Sequence, residues 1–120
     1  MAKPYPNHPQ LKGNFAPIRM ECDLPDAIVR GDLPADLNVT YYRNGPDPQF
    51  PPRGHHHWFG GDGMLHKFQI QDGRVSYSNR WLRTVKWKLE HEAGESLFSA
   101  FNPMENDERV AGVETDGLAN

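Results

Sequence analysis

Apolar and polar residues alternate most regularly between Met64 and Asn79. Met64, His66, Phe68 and Ile70 fall on one side of a period-two pattern, Val75, Tyr77 and Asn79 continue it, and Asp72-Gly73 separates the two halves. Alternation puts one set of side chains on one face of a strand, and Asp-Gly adopts the positive φ angles of the tight turns that match strand twist. The pattern therefore predicts an antiparallel hairpin over residues 64–80. Val39-Thr40-Tyr41-Tyr42 is β-branched and aromatic and predicts a further strand, ending at an Asn44-Gly45-Pro46 turn. Prolines at 46, 48, 51 and 52 then prevent a regular ladder, so residues 44–57 read as a long loop.

Elsewhere the pattern is weaker. Residues 15–19 and 27–30 predict two brief edge strands on either side of Asp23-Leu24-Pro25-Asp26. Val85, Trp87 and Leu89 alternate and predict a strand that breaks at Gly94, with a short helix as the competing reading. Residues 102–108 read as a loop, and residues 110–114 as the start of one more strand. Residues 1–14 are polar and proline-rich and form an irregular arm. The class predicted is all-β, strands and long loops with little helix. The 11 prolines and 11 glycines among 120 residues agree with it.

Composition narrows the function classes. The chain is 37% hydrophobic and 24% charged, as in soluble globular proteins, and no apolar run approaches a membrane span. Thirteen basic and sixteen acidic residues are interspersed, giving a net charge of −3, so no nucleic-acid partner is expected. Cys22 is the only cysteine, which leaves no internal disulfide and no thiolate metal site and fits a reduced cytoplasmic setting. The N-terminus lacks the apolar core and cleavage site of a secretory signal.

His55-His56-His57 invites a metal reading, because alternate strand residues face the same way and the first and third rings could share an ion. A complete site needs more ligands, and Asp62, in a Gly60-Gly61-Asp62-Gly63 turn, is expected to bond its own backbone, with the opposing loop as the other option. The triplet therefore reads as structural or surface. Gly45, Gly61 and Gly63 are expected to supply backbone conformations closed to other residues, and Arg43 to anchor a loop through its fork of donors.

Three stretches carry a resemblance: Gly31-Asp32-Leu33-Pro34-Ala35-Asp36-Leu37, Tyr42-Arg43-Asn44-Gly45-Pro46, and His57-Trp58-Phe59-Gly60-Gly61-Asp62-Gly63-Met64. At this separation they resemble the N-terminal part of the carotenoid cleavage oxygenases, which include the bacterial lignostilbene dioxygenases. The resemblance covers most of the chain and reaches Gly117-Leu118-Ala119-Asn120, where the family's pattern carries on. It implies a seven-bladed β-propeller of which this chain is the N-terminal section. Residues 1–14 are then an arm and residues 15–120 the strands and loops of the first blades, with apolar surface covered by the remainder of the propeller.

The activity implied is that of a non-haem Fe(II) dioxygenase, with dioxygen as co-substrate, that cleaves a conjugated carbon–carbon double bond of a carotenoid, apocarotenoid or stilbene into two carbonyl products. Family members hold the iron with four histidines in segments beyond the matched stretch. None of His8, His55, His56, His57, His66 or His91 is then a ligand, no catalytic residue is assigned, and the segment alone is expected to be inactive. The resemblance brings Phe59 and Phe101 to the cleft for an apolar conjugated substrate, with Trp58 as the neighbour on the opposite pleat. The alternative for these three is ordinary core between blades. Stilbene-cleaving members place a tyrosine near Phe101 to bond the substrate phenol, so a phenylalanine implies a more apolar pocket and favours carotenoid-type substrates. The resemblance also leaves peripheral membrane contact open. The competing class is a non-catalytic β-module that binds a hydrophobic ligand without metal.

Overall fold

Four strands, β1 (Asp23–Leu24), β2 (Val39–Pro46), β3 (Gly63–Gln71) and β4 (Arg74–Trp81), form one antiparallel sheet in the order β1-β4-β3-β2 in the computed structural model, which describes residues 3–115. The first two residues of the arm and the Gly117–Asn120 stretch singled out above lie outside the described residues. The hairpin forms as the alternation predicts. His66 pairs with Asn79, Phe68 with Tyr77 and Ile70 with Val75, and the turn is carried by Asp72 (φ 53°) and Gly73 (φ 71°). β2 adds Val39, Tyr41 and Arg43 to the same rows, opposite Ile70, Phe68 and His66. The Tyr41, Phe68 and Tyr77 rings consequently line up, with centroids 6.3 and 4.9 Å apart.

Several boundaries differ from expectation, each because backbone groups find other partners. β2 runs through Asn44 and Gly45 to Pro46 instead of turning there; Pro46 is tolerated as the last residue, facing Gly63, where no further ladder donor is needed. Residues 15–19 and 27–30 are not strands. Phe15 closes a 3-10 turn (Gly13–Phe15), and the Ile18 and Arg19 amides donate to the Asp47 carboxylate instead of to a ladder. Ala27 makes a single bond to Val75, and the paired segment is the Asp23–Leu24 separator, held beside Asn79 by reciprocal bonds with Cys22.

Residues 85–93 form a helix, α1 (Val85–Ala93), which is the competing reading and not the strand that the alternation suggests. Thr84 caps its first turn by accepting from the Trp87 amide, and Gly94 ends it in the left-handed region at φ 75°, a conformation that costs other residues a clash with their own Cβ. The buried residues Lys86, Trp87 and Glu90 share one helical face, so the alternation of Val85, Trp87 and Leu89 was accidental. Residues 110–114 add no strand; a 3-10 turn (Glu108–Val110) is followed by a bend at Gly112 (φ 78°).

A small apolar cluster lies off the sheet, where Leu97, Phe98 and Val110 pack together with Leu89 and Val113 against them, while on the sheet Met64 of β3 is fully buried. Across the sheet Val39, Tyr41, Tyr42 and Phe68 remain exposed. The radius of gyration is 17.0 Å, against roughly 13 to 14 Å for an independent compact domain of this length. Among the described residues, nothing forms a second layer over the sheet.

Candidate functional site

The loop between β2 and β3 carries the histidine triplet and the aromatic pair. It is held at three places. Asp47 and Asp62 are bonded backbone to backbone at 2.7 Å, the Asp62 carboxylate accepts from the Gln49 amide at 3.0 Å, and the Trp58 amide donates to Gln10 of the arm at 2.8 Å. Asp62 thus ties down the first limb of the same loop rather than its own turn. Gly45 and Gly63 are strand residues and Gly61 has φ −69°, so none uses a glycine-only conformation. Gly61 supplies space instead, since a Cβ there would come 2.9 Å from that of Pro46. Arg43 faces His66 in the sheet, and among the described residues no hydrogen bond ties it to a loop.

Residues Trp58–Gly60 form a 3-10 turn, which removes the opposite-pleat relation expected of Trp58 and Phe59. The two rings stay adjacent, 5.6 Å apart, but point into different surroundings. Trp58 meets Phe15 edge-on at 5.3 Å and lines a cleft of about 570 Å³ between the arm and the end of β2. Phe59 turns the other way, onto His57.

Phe59 and Phe101, 42 positions apart, are brought together by His57. Its ring stands edge-on to Phe59 at 5.0 Å and to Phe101 at 5.2 Å. His57 Nδ1 accepts from the Phe59 amide at 3.0 Å, which places the proton of the neutral ring on Nε2. Phe59 is 53% and Phe101 56% exposed, so neither is core among the described residues. Phe101 also has φ 59°, a left-handed conformation that a bulky side chain rarely adopts and that surrounding structure must hold. That structure is visible. Ser99 donates from its amide to Asn106 Oδ1 (2.8 Å) and from its hydroxyl to Glu105 Oε2 (2.9 Å), and the same Glu105 oxygen accepts the His55 amide (3.0 Å).

Beneath this surface lies a buried ionic triad that sequence reasoning missed. Lys86 Nζ is 2.9 Å from Asp62 Oδ1 and 3.2 Å from Glu90 Oε2. Glu90 Oε1 accepts from the Leu97 and Phe98 amides at 2.9 and 3.1 Å. Burial disfavours the Lys86 ammonium, but Asp62 and Glu90 outweigh it and hold its pKa above the ordinary value. Burial pushes the Glu90 carboxyl up, offset in part by Lys86 and reinforced by the like charge of Asp62. The signal available beforehand was the four-residue spacing of Lys86 and Glu90, meaningful only on a helix.

The histidines have other occupations. His56 is buried with its ring 5.2 Å from His8, and burial, with the neighbouring histidines, lowers its pKa to about 4. His66 Nδ1 lies 2.6 Å from the Tyr77 hydroxyl, and His91 stacks on Trp87 at 4.4 Å. Among the described residues, no group of three or more His, Cys, Asp or Glu is arranged to hold a metal ion, so the residues present do not fit an iron site by themselves.

His56 gives a pH prediction. Its folded pKa lies below the unfolded value of 6.5, so the unfolded chain binds the extra proton and stability falls as pH drops from about 6.5 toward 4. Asp47 and Glu90, raised by burial, contribute with the opposite sign. Comparing thermal melts of the wild type and His56→Phe from pH 7 to 4.5 isolates the histidine: the wild type is expected to lose about 2 kcal/mol more than the variant.

A solved dioxygenase structure shares this arrangement of sheet, helix and loop. The lignostilbene dioxygenase of Pseudomonas brassicacearum superposes with a TM-score of 0.86 at 34% identity, over 96% of this chain and 25% of that one. The family model described as retinal pigment epithelial membrane protein matches residues 15–120, and the chain belongs to that family, the carotenoid oxygenases. It is 41% identical to the isoeugenol monooxygenase of Pseudomonas nitroreducens over 95% of this chain and 24% of the relative. It is also 41% identical to the lignostilbene-alpha,beta-dioxygenase isozyme III of Sphingomonas paucimobilis, over 91% of this chain and 23% of the relative. The chain spans about a quarter of the length of these relatives.

Proposed function

We propose that this chain is the N-terminal section of a non-haem Fe(II) oxygenase that splits a conjugated carbon–carbon double bond into two carbonyl products. The observation that carries the reading is the exposed Phe59, His57 and Phe101 ring set, built on a strained Phe101 backbone in a chain of this family. Aromatic faces and edges hold a flat apolar alkene without charge, which an electron-rich double bond awaiting oxygen requires. Residues 1–14 are the arm and residues 15–120 the first blades, whose open sheet the remainder of the propeller covers. Trp58 faces Phe15 and is assigned to the neighbouring cleft on the arm side.

Iron dependence is general in the family; here the ligands are assigned to the protein beyond this segment, and the bound metal supplies the activation of dioxygen. What this chain contributes is positioning and exclusion of water. A reduced cytoplasmic setting is part of the same proposal, and the free thiol of Cys22 supports it. Among the described residues, no helix is long and apolar enough to cross a membrane; contact of the cleft mouth with a membrane surface remains part of the proposal only as a route for lipid-dissolved substrate.

Two substrate classes have separate support. The relatives matched over most of this chain carry names for isoeugenol and lignostilbene, which supports a compact aryl alkene. Phe101 lacks a hydroxyl, which supports a less polar one. The test is iron analysis and product identification on the full-length protein with stilbenes and apocarotenoids, paired with Phe101→Tyr. The variant is expected to shift the ratio toward 4-hydroxystilbenes by about 0.5 to 1.5 kcal/mol, the net worth of one hydrogen bond. No iron and no cleavage with any substrate in the panel would remove the reading.

A further inference from the structure

The Lys86, Asp62 and Glu90 triad is difficult to explain as a source of stability. Three charged groups are withdrawn from water, two of them carboxylates sharing one ammonium, and apolar side chains of similar volume serve as well or better in such sites. What the triad does have is a particular address. Asp62 stands three residues after Phe59, at the end of the loop that presents that ring. Glu90 Oε1 binds the amides of Leu97 and Phe98, just before Phe101. Lys86 joins the two carboxylates from the first turn of α1, so the loop bearing one ring and the segment bearing the other meet at one ammonium.

Other bonds to α1 point the same way. Gln49, whose amide is held by Asp62, donates its side-chain amide to the Trp87 carbonyl at 3.0 Å, and its Oε1 lies 3.3 Å from His91 Nδ1. The helix is thereby clamped to the loop at two neighbouring points. Hydrogen-bonded ion pairs fix distances and directions more narrowly than apolar contacts, which slide. The rings at the surface need such definition, because His57 contacts both and Phe101 sits in a backbone conformation that relaxes if its segment is released.

We infer that the buried Lys86, Asp62 and Glu90 triad is a positioning device that sets the separation and tilt of Phe59 and Phe101 about His57, and through them the pose of the conjugated substrate. This rests on the reading of those two rings as substrate contacts; none of the three triad residues touches substrate.

The test uses the full-length, iron-loaded protein and a neutral, near-isosteric triad, Asp62→Asn with Lys86→Met and Glu90→Gln. The backbone amides of Gln49, Leu97 and Phe98 keep acceptors, while the ionic link is gone. The variant is expected to melt within a few degrees of wild type and to hold the same iron. Its kcat on trans-stilbene is expected to fall roughly tenfold or more, with KM altered less, as a displacement on the order of 1 Å at the holding groups would cause. Crystal structures of the two proteins supply a readout independent of activity, the spacing of the His57 ring from Phe59 and from Phe101. Glu90→Gln alone is the second variant and is expected to show the same changes in smaller measure. Unchanged ring spacing with wild-type kcat and KM overturns the inference, and so does failure of both variants to fold, which makes the triad purely structural. Absence of alkene cleavage by the wild type removes the functional reading instead, and the ring spacing still decides whether the triad positions the pair.

Discussion

Replacing Lys86 alone by methionine is expected to destabilise the protein by about 3 to 5 kcal/mol, the cost of breaking a buried ion pair by removing one partner. The ammonium is 6% exposed and the Asp62 and Glu90 carboxylates are 2% and 1% exposed, so water cannot take its place. Two carboxylates would then face one another without a cation, and one must take up a proton. The loss should shrink on acidification, because protonating Glu90, already raised by burial, relieves the repulsion. Urea unfolding of Lys86→Met at pH 7.5 and pH 5 measures both the magnitude and its pH dependence. A loss below about 1 kcal/mol at both pH values would mean that the triad is hydrated or loosely held, as surface pairs are.

The contrast between the hairpin and this triad shows how much was legible in the sequence. The hairpin is a local object: alternation over Met64 to Ile70 and an Asp-Gly turn are enough, and β3 and β4 pair as the alternation implies. Helix α1 is the competing reading of a stretch whose alternation suggests a strand, although its own signals are present. Thr84 at the N-cap, Gly94 after the last turn and the Lys86 and Glu90 spacing all indicate helix, and outweigh a three-residue alternation. The length of β2 was underestimated because Asn-Gly-Pro is read as a turn, whereas an edge position at the strand's end accommodates it. The neighbourhood of Phe59 and Phe101 was named through resemblance. That His57 stands between them was not legible, because it depends on a 3-10 turn at Trp58 and on the left-handed φ of Phe101. Nor was the ion pair between Lys86 and Asp62, which are 24 residues apart and meet only after the loop has folded across the helix.

Phe59→Ala and Phe101→Ala are expected to reduce turnover of a conjugated alkene by roughly 10²-fold, the scale of losing correct placement of a bound reactant. Stability should respond much less. A fully buried phenylalanine costs about 3 to 5 kcal/mol when truncated. These two rings are 53% and 56% exposed; His57 stands edge-on to both and Trp58 lies beside Phe59, so about 1 kcal/mol is expected from the area removed. The two substitutions should also be non-additive in kcat, since His57 contacts both rings and either truncation frees it. Trp58→Ala separates the two surroundings described above: facing Phe15 and the arm rather than Phe101, it should affect attachment of the arm more than turnover. Steady-state kinetics and thermal melts of the four proteins in parallel decide the matter. If Phe59→Ala and Phe101→Ala unfold the protein, the rest of the propeller buries both rings and they are core between blades; if they melt and turn over as wild type, the substrate lies elsewhere.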